Sequence, residues 1–562
     1  MRKKVNLEQC AIYFLMLIVI VATVGYTYLT DGIGGEREDL MYHMLRIEAV
    51  KEALMAGEYP ARVNPIFFNG YGYGSSLFYP DIFLVIPAIM RIVGLSPLVT
   101  WKLYVMLLTA ICSMTAFWAF RYISKNFYFA VGGTFLLVLS QFYIADIMQR
   151  SGLSQYIAYV FIPLLIAGLY DFVAREGKKV YLIGIAFVGM LLSHMIMTVV
   201  GILITVIFFM IMLCVPSKRK VILKKEKIIS LALTAIVSVL LVAYYAFPMM
   251  EQMLNDEFLY MQPWANIGEY TQPFGVFFNS TGQFYYIARV GVGIPILMLI
   301  GCRMLFGKPE NRWADFFLAG GVLLLVAMTD ALPWDALSNS FLNMLQFTYR
   351  LYPYALCFIV LGLVLYFSEK CKENSRRALI FIVILAVGFG AWQNRISNSW
   401  ERYPVNEEYI YANSFWVGKG EWLPKGVAED VRYEKASGMV EGSFGPEVFE
   451  IEGYNKYSFE CKVSEKEQYI LPLVYYKGYA ATLVQENGEK TELSVSRTAD
   501  GLAAVQVEGG SDGMVYVEYA GTLLQAVSNG ISLLTLLSVM GGMIFYIRKN
   551  RMQTEKIKSV DK

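Results

Sequence analysis

The chain has 562 residues, 56% of them hydrophobic and only 17% charged, with a formal net charge of +2. That balance lies above the apolar share and below the charged share of soluble domains, which excludes an ordinary soluble protein and indicates many membrane spans. A nucleic-acid footprint is excluded too, because Lys and Arg fall in short clusters between apolar runs.

Arg2-Lys3-Lys4 precede an apolar run over 10–29 that lacks an Ala-x-Ala cleavage site and reads as a retained first span. The segment 34–80 follows, opening with Gly34-Gly35-Glu36-Arg37-Glu38-Asp39-Leu40-Met41-Tyr42-His43. It sets three carboxylates where lipid ends and water begins, and on a helix Asp39 and His43, four residues apart, share a face. The plainer alternative is a solvated loop whose acids favour a helix N-terminus. The stretch 79–97 is apolar but carries Pro80, Asp81, Pro87, Arg91 and Pro97, and reads as an outer-surface or re-entrant helix pair.

Further runs suited to spans lie near 99–120, 127–145, 157–173, 227–248, 288–306, 313–329, 351–367, 378–393 and 523–547. The run 180–214 is about 52 Å long as one helix, against a hydrocarbon core of about 30 Å, so it predicts two short spans with a turn near His194. With 79–97 outside and 180–214 a hairpin, the clusters Arg2/Lys3/Lys4, Arg121/Lys125, Arg175/Lys178/Lys179, Lys218–Lys227, Arg303/Lys308/Arg312, Lys370–Arg377 and Arg548/Lys549/Arg551 all fall on one side. The positive-inside rule makes that side cytoplasmic. Residues 250–288 hold no Lys or Arg, while Glu251, Asp256, Glu257 and Glu269 mark an outer loop. The expectation is twelve spans with both termini cytoplasmic in a cell membrane.

This topology gathers polar residues at the outer boundary: Asp146, Gln149 and Arg150 after the third span, His194 at the hairpin turn, and Arg350 in Leu345-Gln346-Phe347-Thr348-Tyr349-Arg350. Singly each has a plainer role, since an interfacial Arg snorkels, a His caps a helix, and Asp146 with Arg150 is a local i,i+4 pair. Polar groups at membrane depth more often serve function, and facing the acidic loop they suit a lipid with an anionic headgroup. Residues 394–521 are a different polypeptide. Alternation in 469–476, 481–484, 503–507 and 514–519, separated by Asn487-Gly488, Asp500-Gly501 and Ser511-Asp512-Gly513, predicts short strands and an antiparallel β-sandwich. Its aromatics suit either its own core or carbohydrate, and its single cysteine, Cys461, has no partner within the segment.

A first span, a large outer loop opening with acids, and surface helices introduced by Phe78-Tyr79-Pro80 together resemble the GT-C superfamily of membrane glycosyltransferases. Within it the chain looks like the YfhO-like bacterial branch and the PTPS-related membrane proteins. Asp39-Leu40-Met41-Tyr42-His43 with Arg46, Gly70-Tyr71-Gly72-Tyr73-Gly74, Leu192-Ser193-His194, Gln346-Phe347-Thr348-Tyr349-Arg350 and Gly418-Lys419-Gly420-Glu421-Trp422-Leu423-Pro424 carry that resemblance. The glycine segment has no strand-to-helix setting and is no nucleotide fingerprint. The resemblance implies a sugar donor on a polyprenyl phosphate and inverting transfer to an outer-face acceptor, a cell-envelope glycan or glycopolymer.

Asp39 is then the general base, kept ionised by Arg46 or a bound cation. Arg350 grips the donor phosphate, with His194 beside it. Asp146 matches the family's second acidic residue, and Glu38, His43, Arg46 and Arg150 complete the substrate-binding set. Glu38-Asp39 departs from Asp-x-Asp forms, so no metal ligands are assigned and a divalent cation stays open; no organic cofactor is expected. The expected organisation is a helical membrane domain over 1–393 with its large loop at 31–98, a β-rich extracytoplasmic domain over 394–521, and a last span with a basic tail over 522–562. Two other classes remain. A flippase of lipid-linked sugars calls for ionisable residues within spans and related halves, and only Asp171 and Arg289 lie near span ends. A passive anchor for the β-domain leaves the elaborate first loop unexplained.

Overall fold

A computed structural model of the protein describes residues 6–25, 32–34, 37–259, 266–282, 284, 288–397, 402–403, 405–415, 420–427, 431, 436–442 and 445–560. Among them, eight helices are long and apolar enough to cross a membrane, and a pair bent by 43°, Phe127–Val138 with Gln141–Met148, makes nine. About twelve spans are expected, and the structure shows eight or nine helices of spanning length with further shorter apolar ones. The runs near 180, 294 and 313 do form helices, Tyr181–Leu191, Ile294–Leu305 and Arg312–Ala327, but of 11, 12 and 16 residues. At 1.5 Å per residue these reach about 17 to 24 Å, short of a hydrocarbon core. Apolar composition had counted residues that the backbone spends in turns.

Thr348–Lys370 is the central helix, its most apolar stretch 94% buried, whereas Lys225–Asn255 and Leu523–Lys549 are 17% and 6% buried and stand at the periphery. The centre packs closely because two glycines interlock. A Cβ at Gly321 would come within 2.7 Å of the Ala355 carbonyl, and one at Gly362 within 2.7 Å of the Leu318 amide. The basic loops meet at one end of the bundle. Lys227 donates to the Arg175 carbonyl (3.0 Å), Arg175 to that of Tyr122 (2.9 Å), and Arg376 pairs with Glu8 (2.9 Å).

At the other end lies the loop helix Arg37–Met55, followed by the short apolar helix Ile82–Ile92. Glu48 of the loop helix, fully buried, is paired with Arg91 (2.5 Å) and Lys51 (3.1 Å), which ties the two together. The alternating segments are strands, as expected, in two five-stranded antiparallel sheets. In one, Ser511–Tyr519 lies between Lys456–Val463 and Tyr479–Gln485, with Val515 opposite Phe459 and Leu483. Period-two alternation turns Phe459, Leu471, Leu483, Val505 and Val515 into a shared core. This β-domain sits on the first loop: the Val474 amide donates to the Tyr71 carbonyl (2.9 Å), Tyr476 to that of Trp422 (2.9 Å), and Trp422 stacks on Phe78 at 4.8 Å.

Candidate active site

The loop helix is positioned by Arg46, 1% exposed. Its Nε and Nη2 donate to Asp81 (3.1 and 2.6 Å), Nη2 also to the Pro80 carbonyl (2.8 Å) and Nη1 to Ser154 (3.1 Å), while its flat face lies 4.4 Å over the Tyr79 ring. Phe78-Tyr79-Pro80 thus delivers Asp81 and an aromatic lid to this arginine. The expectation is Arg46 or a bound cation beside Asp39; the pairing found is Arg46 with Asp81, and the cation beside Asp39 is Arg150.

Arg150 bridges two carboxylates. Its Nη2 is 3.2 Å from Asp39 and its Nη1 is 3.3 Å from Asp146, with Gln155 also 3.3 Å from Nη1. Tyr159 donates to the other oxygen of Asp146 (2.7 Å) and receives from Gln155 (2.7 Å). The rings of Phe284 and Tyr349, 5.7 and 5.5 Å away, flank the guanidinium. Gly152 leaves room for this pair, since a Cβ there would lie 2.8 Å from Asp146 Oδ1 and 3.1 Å from Arg150 Nη1. The two acids differ in access: the Asp39 side chain is 34% exposed, that of Asp146 is 0%.

His194 is the N-cap of the span Met195–Cys214, its Nδ1 accepting from the Met197 amide (3.3 Å). Arg350 Nη1 lies 2.8 Å from His194 Nε2, and Arg350 Nη2 donates to Gln346 (2.9 Å). A neutral imidazole has one accepting nitrogen, so it can serve the Met197 amide or Arg350 but not both. Gln346 stands at φ 62°, ψ −45°, a conformation rare outside glycine that tertiary packing must hold in place. His43 is buried, with Nδ1 making no hydrogen bond among the described residues. Burial, then the charges of Arg46 and Arg150, hold His43 well below its ordinary pKa; burial, then Arg350 and Arg150, does the same to His194.

The structure therefore brings Asp39, His43, Asp146, Arg150, His194 and Arg350 to one end of the bundle, with Arg46 behind them; the side chain of Glu38 lies outside the described residues. Gln155, Tyr159 and Gln346 were not foreseen, although Gln155/Tyr159 and Gln346/Arg350 carry the same i,i+4 spacing as Asp146/Arg150. Asp39 and Asp146 already share the Arg150 guanidinium, and among the described residues no three His, Cys, Asp or Glu side chains converge.

A bundle of this kind, with a charged cluster at one end beneath a β-sandwich, defines a polytopic membrane protein with a polar site at one end of its helices. Residues 68–416, more than half of the chain, match the family described as bacterial membrane protein YfhO, and the chain belongs to that family. No curated protein matches the sequence. Among solved structures, the chain is similar to the arabinofuranosyltransferase AftD from Mycobacteria, at 14% identity and a TM-score of 0.42 over 69% of this chain and 27% of that one. A mutant form of the same enzyme matches at 14% identity and a TM-score of 0.39, over 69% and 28%. The chain thus spans little more than a quarter of those proteins.

Proposed function

We propose that this protein is a GT-C-type glycosyltransferase that moves a sugar from a polyprenyl-phosphate donor to a hydroxyl acceptor on the outer face of the cytoplasmic membrane. The observation that carries this reading is the partly exposed Asp39 within one ion pair of Arg150 and on the same cluster as His194 and Arg350. Asp39 takes the proton of the acceptor hydroxyl as its oxygen attacks the anomeric carbon. The bond from that carbon to the phosphate oxygen breaks, and polyprenyl phosphate leaves carrying the electron pair. Attack opposite the leaving group inverts the anomeric centre. Arg350 and the Nε2–H of His194 grip the phosphate as its charge develops. Asp146, buried and bonded to Tyr159, aims Arg150 and does not itself meet the acceptor.

Convergence of the basic loops at the opposite end of the bundle supports an outer-face site. Near-complete burial of the arginines and histidines supports an anionic ligand over a water-filled transport path. The test is purified protein in proteoliposomes given a panel of polyprenyl-phosphate hexoses and pentoses together with cell-envelope glycan. Acceptor-dependent formation of polyprenyl phosphate from one donor supports the reading. Movement of intact donors across the bilayer without cleavage would establish a flippase instead.

A further inference from the structure

The two peripheral helices, Lys225–Asn255 and Leu523–Val560, pack against each other. They are pinned midway, where Ser532 donates to the Leu240 carbonyl and accepts from the Tyr244 amide, both at 2.9 Å. Beside the β-domain a cleft of about 390 Å³ opens at the ends of the two helices, walled by Phe247, Met250, Leu254 and Leu524. Leu254 is 86% exposed, as a side chain turned towards lipid would be. The mouth of the cleft is polar and firmly built. Glu251 accepts from Thr522 (2.6 Å) and pairs with Lys477 of the β-domain (3.3 Å). The Gln252 amide clasps the Lys477 backbone from both sides, donating to its carbonyl (2.7 Å) and accepting from its N–H (3.1 Å).

An apolar cleft capped by a tethered carboxylate and a half-exposed lysine ammonium, at the end of two peripheral helices, has the charge pattern of a zwitterionic amphiphile. We propose that it holds one phospholipid whose headgroup carries a primary ammonium. The ammonium donates to Glu251, the phosphate accepts from Lys477, and an acyl chain lies along the apolar wall of the cleft. The Glu251 side chain is only 12% exposed and tethered by Thr522, so it cannot turn away from an incoming phosphate. A purely anionic headgroup therefore meets repulsion there. A choline headgroup has no N–H to give the carboxylate. The lipid bridges the bundle to the β-domain and binds apart from the site holding Asp39.

The test is native mass spectrometry of the full chain extracted from bilayers of equal parts phosphatidylethanolamine, phosphatidylcholine and phosphatidylglycerol. Wild type should retain one phosphatidylethanolamine in preference to the others. Glu251→Gln, which keeps the bond to Thr522, should lower that preference about tenfold, the scale of one hydrogen bond to a charged group. Leu254→Trp, which fills the cleft, should lower retention of every lipid. Both variants should unfold at the wild-type temperature in lipid-free detergent yet lose the rise that phosphatidylethanolamine gives wild type. Equal retention of the three lipids by wild type, or an unchanged preference in Glu251→Gln, overturns the proposal.

Discussion

Replacing Asp81 by Asn should destabilise the fold far more than its position beside a surface loop suggests. The Arg46 and Asp81 side chains are 1% and 6% exposed, so water cannot screen the charge left behind. Arg46 directs two nitrogens to that one carboxylate, and Ser76 donates to its other oxygen. Breaking a buried pair by removing one partner costs about 3–5 kcal/mol, mostly the penalty of an uncompensated charge. Arg46→Met leaves Asp81 in the same position and should cost a similar amount. The double change Arg46→Met with Asp81→Leu removes both charges and should recover most of the loss. By contrast the Asp39–Arg150 pair, with Asp39 34% exposed, should contribute only about 0–1 kcal/mol. Unfolding of the wild type and the three variants by denaturant in one detergent, read by tryptophan fluorescence, gives the comparison. A loss below about 1 kcal/mol in Asp81→Asn, or a double variant as unstable as the singles, would refute the assignment of Arg46 to the scaffold.

Arg350→Lys keeps a charge but loses the planar fork, and should weaken binding of a polyprenyl-phosphate sugar about tenfold, the scale of one charge-assisted hydrogen bond, with little change in stability. Equilibrium binding to labelled donor is the check, and unchanged affinity removes the residue from the phosphate site. Gly152→Ala puts a methyl group against Asp146 and Arg150, and should lower transfer while costing about 1–3 kcal/mol of stability. Retained activity shows the pair can shift without consequence. His43 and His194 have folded-state pKa values below their unfolded value of about 6.5. The unfolded chain therefore binds more protons below that pH, so the stability they contribute is complete above about pH 6.5 and is lost as pH falls. Thermal melts between pH 7.5 and 5 should show the decline, and His43→Gln with His194→Gln should flatten it.

Most of the fold was legible because bilayer and sheet each impose one period or one length. Every run expected to span is a helix, the hairpin turns at His194, and the alternating segments are strands. The lengths of the helices were not legible, since the apolar runs continue into turns such as Leu192-Ser193-His194, where hydropathy stays high while the backbone has left the helix. Sidedness brought Asp39, Asp146, His194 and Arg350 together from four separate segments. Partner choice within the cluster escaped it. Arg46 lies seven residues after Asp39 and on its face, yet Asp81 captures it across 35 residues of chain, and Arg150 arrives from over a hundred residues away. The strained Gln346 was equally out of reach, because nothing in a glutamine between Leu345 and Phe347 announces a positive φ.

Whether Asp39 is the base decides the account. The direct measurement is single-turnover transfer by Asp39→Asn and wild type in the same proteoliposomes, with donor binding measured alongside. The account predicts transfer slower by at least about 10²- to 10⁴-fold, donor affinity close to wild type, and unfolding within about 1 kcal/mol of it. Near-normal transfer by Asp39→Asn would contradict it.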